Sequence, residues 1–77
     1  MCKMTINLNT VDKVKDFVST IGKFEDSFEL VSGRYVIDAK SIMGIFSLDL
    51  TKPLTLLSET ADQDKMELAL MRFKGRS

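Results

Sequence analysis

The sequence predicts an α+β domain of element order β-α-β-β-α-β-α, with one mostly antiparallel sheet covered by helices on one face. Three observations lead there. Apolar residues recur at helical spacing around Val14 and again around Met66. They alternate with period two around Met4, Phe28 and Tyr35. The two middle strands are joined by a short glycine-containing turn, the mark of a hairpin.

The elements follow in order. Lys3 to Leu8 alternates around Met4, Ile6 and Leu8 and reads as a half-buried strand. Asn9 or Thr10 can cap the next helix, because either side chain can accept from an unpaired backbone N–H. That helix carries Val11, Val14, Phe17, Val18 and Ile21 as one apolar stripe for the core. Gly22 suits a left-handed terminating residue. Ser27 to Val31 presents Phe28 and Leu30 on one face, Ser32-Gly33 is the candidate turn, and Arg34 to Asp38 alternates Tyr35 and Ile37 against Val36. Ser41 to Ser47 is too short and too glycine-broken for a long helix, and reads as one or two turns capped by Ser41. Leu48 to Lys52 is a connection. Pro53 fits only a strand start or a sheet edge, and Leu54 to Leu57 is a buried strand. Thr60 or Asp62 starts the last helix, with Met66, Ala69, Leu70 and Phe73 as its stripe and Gly75 past its end.

Composition narrows the function classes. The 77 residues make one domain, 1–77, near the lower size limit for a self-supporting core, and 44% of them are hydrophobic. Eleven Lys and Arg balance eleven Asp and Glu, which argues against bulk attraction to nucleic acid or an anionic membrane. No apolar run approaches the roughly 18 residues that span a bilayer. The start, Met1-Cys2-Lys3-Met4, lacks the apolar stretch of a secretory signal, so a cytoplasmic location is expected. Cys2 is the only cysteine and histidine is absent, so neither an internal disulfide nor a metal or haem site is expected, and no cofactor.

Three stretches carry a resemblance. Lys23-Phe24 closes the first helix, Gly33 sits in the hairpin turn, and Lys40-Ser41-Ile42-Met43-Gly44-Ile45-Phe46-Ser47-Leu48 forms a distinctive run. Together, and with the ungapped spacing from Phe24 to Ser41, they resemble HPr, the histidine-containing phosphocarrier protein family of the bacterial sugar phosphotransferase system. The resemblance spans essentially the whole chain. It implies an HPr-like open-faced β-sandwich, βαββαβα, with a four-stranded antiparallel sheet and three helices on one face. It also implies phosphotransferase-system or catabolite-control proteins as partners. A monomer or small homodimer is expected, because small sheet domains with strand edges can exchange elements.

The carrier site itself is erased. The family places His-x-Arg-Pro at the start of the first helix, where the imidazole takes a phosphoryl group from enzyme I and hands it on. Counting back from Phe24, the His, Arg and Pro positions are Thr10, Asp12 and Lys13. A phosphothreonine ester is a low-energy phosphate and cannot pass its group on as a phosphoimidazole does. Asp12 puts an anion where a cation would hold the incoming phosphate. Asp12 can equally serve as a first-turn carboxylate complementing the helix dipole. The segment between Leu48 and Leu54 is also shorter than the family's.

Ser41 matches a serine that some family members use as a regulatory phosphorylation site. A phosphate there would meet free N–H groups at the helix start, with Lys40 adjacent. The alternative is a plain N-cap. The short helix cannot bury Ile42, Met43, Ile45 and Phe46 together, so Ile45 and Leu48 are expected inside and Ile42, Met43 and part of Phe46 outward, available to a protein partner. Glu25-Asp26 reads as a solvated turn pair, Tyr35 as a strand residue with a wet hydroxyl, and Arg72, Lys74 and Arg76 as a basic helix end. The expected function is a non-enzymatic regulatory or protein-binding module incapable of histidine phosphotransfer. Phosphotransfer through another residue and a purely structural, dimerising role stand as alternatives.

Overall fold

The computed structural model describes residues 2–59 and 62–75. The strands are β1 (Cys2–Ile6), β2 (Phe28–Ser32), β3 (Tyr35–Asp38) and β4 (Leu54–Ser58). The helices are α1 (Val11–Ile21), α2 (Ile42–Phe46) and α3 (Gln63–Leu70), the last running into a 3₁₀ turn over Met71–Phe73. The strands form one antiparallel sheet in the order β1-β4-β2-β3. This is the HPr-like open-faced sandwich that the sequence predicts.

Register explains which face is covered. Met4 pairs with Leu56, Leu56 with Leu30 and Leu30 with Ile37, so one row of apolar side chains crosses all strands on a single face. The helices lie on that face. Val14, Phe17 and Ile21 of α1 are fully buried, and so are Ile45 of α2 and Leu70 of α3. The ring centroids of Phe17 and Phe73 lie 5.6 Å apart with the rings at 89°, which sets ring edge against ring face. The opposite face of the sheet carries Lys3, Thr5, Glu29, Val31, Val36, Asp38, Thr55 and Leu57, and among the described residues no helix lies over it.

Helix caps are largely those the sequence names. Of Asn9 and Thr10, it is Thr10 that adopts extended backbone and accepts from the Lys13 N–H at 3.1 Å. Asp62 caps α3 by accepting from the Lys65 N–H at 3.0 Å, and Thr60 lies outside the described residues. Ser41 caps α2 by accepting from the Gly44 N–H at 3.2 Å.

Three local expectations are corrected. Gly22 is right-handed, at φ −62°, not left-handed. The end of α1 tightens instead, with Lys23 N–H on the Thr20 carbonyl and Phe24 N–H on the Ile21 carbonyl, so the last carbonyls find partners without a left-handed residue. A Cβ at Gly22 would sit 3.1 Å from the Val18 carbonyl oxygen, which is why glycine suits the site. The hairpin turn is Gly33-Arg34, one residue later than Ser32-Gly33, because Ser32 pairs with Tyr35. Gly33 takes φ +60° and Arg34 does not have positive φ, the arrangement of a turn with glycine in its first central position. Val11 is 55% exposed and lies outside the buried stripe of Val14, Phe17 and Ile21.

An ion pair that the sequence hides locks the helices together. The Arg72 guanidinium donates from Nε to Asp16 Oδ2 at 2.8 Å and from Nη2 to Asp16 Oδ1 at 2.9 Å. It also reaches Thr20 Oγ1 and the Ala69 carbonyl. Arg72 therefore bridges α1 to the C-terminal helix instead of serving only as a basic helix end. Arg76, read with it in the sequence, lies outside the described residues.

Candidate functional site

The positions that the sequence resemblance aligns with a carrier site, Thr10, Asp12 and Lys13, lie at the N-terminus of α1. Thr10 Oγ1 is committed to the Lys13 N–H, and the Thr10 carbonyl accepts from the Val14 N–H at 3.1 Å. Both functions of a cap are thus filled by Thr10, the residue that the sequence resemblance sets at the histidine position. Asp12 and Lys13 are exposed on the first turn, Asp12 placing a carboxylate at the positive end of the helix. Three side chains at the start of α1 thus cap, complement and solvate it. None of the three is an imidazole.

The second part of the site is α2, which packs against α1 in the same layer and over β3. Ser41 is exposed at its start. Gly44 lets the helix sit close: a Cβ there would lie 3.2 Å from Ser41 Oγ and 3.4 Å from Ile37 Cδ1. Ser47 donates its hydroxyl to the Gly44 carbonyl at the far end. Ile45 is buried and Leu48 half-buried, as expected, while Met43 is 77% and Phe46 38% exposed. Ile42 departs from expectation: it is half-buried and packs against the core, because the helix turns its flank toward β3. The outward apolar surface of α2 is therefore Met43 and Phe46.

Lys40 has a task the sequence did not show. Its ammonium donates to the Phe24 carbonyl at 2.7 Å and stands 5.6 Å from the centre of the Phe28 ring. Its backbone N–H donates to Asp38 Oδ1 at 2.9 Å. Lys40 thus ties the segment after α1 to the segment before α2, and its charge is engaged at Phe24. Two of the three stretches that carry the sequence resemblance, Lys23-Phe24 and the run from Lys40, are joined by this bond. Sequence spacing could not reveal it, since the partners lie 16 residues apart.

Two exposed carboxylates are held below their ordinary range. Asp16 is lowered first by its hydrogen bonds from Arg72 and then by that residue's charge. Asp49 is lowered by hydrogen bonds from the Thr51 hydroxyl, at 2.6 Å, and from the Thr51 N–H. Both belong to structural motifs away from the starts of α1 and α2. Among the described residues no group of three or more His, Cys, Asp or Glu side chains could hold a metal ion, and no helix is long and apolar enough to cross a membrane.

No protein-family model matches the sequence. No curated protein matches it either. Solved structures do. HPr-C-His from Thermoanaerobacter tengcongensis is similar with a TM-score of 0.78 and 28% identity, over 94% of this chain and 89% of that one. The phosphocarrier protein HPr from Bacillus anthracis aligns with a TM-score of 0.72 and 21% identity, over 95% of this chain and 94% of that one. The histidine-containing phosphocarrier protein of a Mycoplasma shares the fold with a TM-score of 0.74 and 15% identity, over 92% of this chain and 89% of that one. The near-complete coverage in both directions agrees with the Lys40–Leu48 run and with the order of the strands, and the chain has the HPr-like fold.

Proposed function

We propose that this chain is a cytoplasmic protein-binding module of the phosphotransferase-system type that docks a protein partner and does not relay phosphate. One observation carries the reading: Thr10 stands at the carrier position with its oxygen spent on capping α1, while α2 beside it keeps Met43 and Phe46 open to solvent. An exposed methionine next to an aromatic edge makes an adaptable contact surface. Loss of the imidazole removes the nitrogen whose phosphate is a high-energy donor, and Asp12 repels an incoming dianion. The module is not an enzyme in this reading, and Ser41 is where a kinase would control docking, because a phosphate there adds charge beside the Met43 surface.

Incubation with enzyme I and phosphoenolpyruvate tests the first half. The expected outcome is no acid-labile phosphate on the protein. An acid-labile or hydroxylamine-sensitive adduct that passes to a sugar-transport subunit would restore the phosphocarrier alternative. Incubation with an HPr kinase and ATP, followed by mapping of phosphate by mass spectrometry, tests control at Ser41. Met43→Ser and Phe46→Ser are expected to weaken capture of catabolite-control or phosphotransferase-system proteins without lowering Tm. Unchanged capture would remove the docking assignment.

A further inference from the structure

The two edges of the sheet are built differently. The outer edge of β1 is closed by the chain's own C-terminal segment. Asn7 N–H donates to the Phe73 carbonyl at 2.8 Å, Gly75 N–H donates to the Thr5 carbonyl at 2.8 Å, and Ile6 bridges Lys74. A Cβ at Gly75 would meet the Asn7 side-chain Nδ2 at 2.7 Å, so a larger residue there would displace the Asn7 side chain. Among the described residues nothing pairs with the outer edge of β3. Its side chains are correspondingly open, with Tyr35 65% and Val36 56% exposed.

The backbone phase of β3 follows from one bond. Ala39 N–H donates to the Phe28 carbonyl at 3.0 Å, so Ala39 faces β2. Backbone groups alternate along an antiparallel strand, so Ile37 and Tyr35 also face β2, and Val36 and Asp38 face outward. The Asp38 carbonyl accepts from the Ser41 N–H at 3.0 Å. The Val36 N–H and carbonyl and the Asp38 N–H are thus presented along the edge. Tyr-Val-Ile has high strand propensity, and the edge carries no lysine, proline or bulge to discourage pairing.

We propose that β3 is a self-pairing edge, and that two copies of this chain join antiparallel about a two-fold axis through Val36. The side chains are self-complementary in that register. Arg34 falls opposite Asp38 of the second copy, and Asp38 opposite its Arg34, giving two ion pairs on the open face of the sheet. Val36 meets Val36 between them, with two reciprocal backbone hydrogen bonds. Tyr35 meets Ile37 of the second copy on the helix side. Moving the axis to Tyr35 or Ile37 keeps backbone pairing but sets Arg34 or Asp38 against Val36, so charge selects the central register. With eleven charges of each sign, the chains carry no net repulsion against such contact. The shared edge is short, so the dimer is weak and concentration-dependent.

Sedimentation equilibrium from about 10 μM to about 1 mM reads the association, with amide exchange at Val36 as a local report. The wild-type mass is expected to approach twice the monomer's as concentration rises, with slowing exchange at Val36. Val36→Pro deletes an outward N–H that the β2 ladder does not use; it is expected to weaken dimerisation about tenfold with Tm retained. Arg34→Glu, in the exposed turn, is expected to weaken it severalfold, and adding Asp38→Lys is expected to restore it. If Val36→Pro does not fold, the charge pair alone decides. A monomer at every concentration would leave this edge to a strand of another protein and overturn the proposal. So would a dimer indifferent to the Arg34→Glu and Arg34→Glu/Asp38→Lys variants, which must be built through another face or by exchange of β1.

Discussion

Single residues here do work that their family positions do not name. Lys40 sits where sequence alone suggests help for a phosphate on Ser41, yet its ammonium is spent on the Phe24 carbonyl. Removing it should act on stability first. Lys40→Met leaves a half-buried carbonyl without its charged donor and is expected to cost about 1.5–3 kcal/mol in urea denaturation. Thr10 illustrates the same point at the carrier position. Thr10→Ala removes the acceptor for the Lys13 N–H and is expected to lower stability by about 1 kcal/mol, measured the same way. Thr10→Asn, which keeps an N-cap acceptor, should recover most of that loss.

Among elements, the contact between α1 and the C-terminal helix rests on the fork of Arg72 around Asp16. The Asp16 carboxyl is held below its ordinary value of 3.8 by those bonds. A depressed carboxylate contributes stability that is fully present above its unfolded pKa and is lost as pH falls through the folded one. The wild type should therefore lose stability as pH drops below about 4, and Asp16→Asn should flatten part of that slope. Urea midpoints at intervals from neutral pH into acid check this. Asp49, lowered by its bonds from Thr51, contributes with the same sign and stays titrating in the Asp16→Asn variant. The pair is exposed and salt-screened, so high ionic strength should shrink the difference between wild type and variant.

For the whole molecule, one apolar layer between sheet and helices does most of the stabilising. Phe17 is fully buried against Phe73, joining α1 to the chain end that closes the β1 edge. Phe17→Ala is expected to cost about 3–5 kcal/mol and to broaden or abolish the thermal transition of so small a core. The same asymmetry governs association. The molecule closes one sheet edge with its own C-terminal residues and presents the other, so any sheet-extending contact is directed to β3.

The order of elements, the buried stripe from Val14 to Ile21, the Ser41 cap outright, the other two caps each as one of a pair, and the absence of any histidine were legible along the chain. These are local or compositional: period, capping chemistry and the presence of an imidazole need no knowledge of distant neighbours. Tertiary structure decided the rest. That β4 enters between β1 and β2, that Ile42 turns inward while Val11 does not, that Lys40 reaches Phe24, and that Arg72 reaches Asp16 all depend on residues brought together from far along the chain. Periodicity records which side of an element is apolar. It does not record what packs there, because the partner's identity and the hydrogen bonds at the contact exist only once the layers have closed on each other.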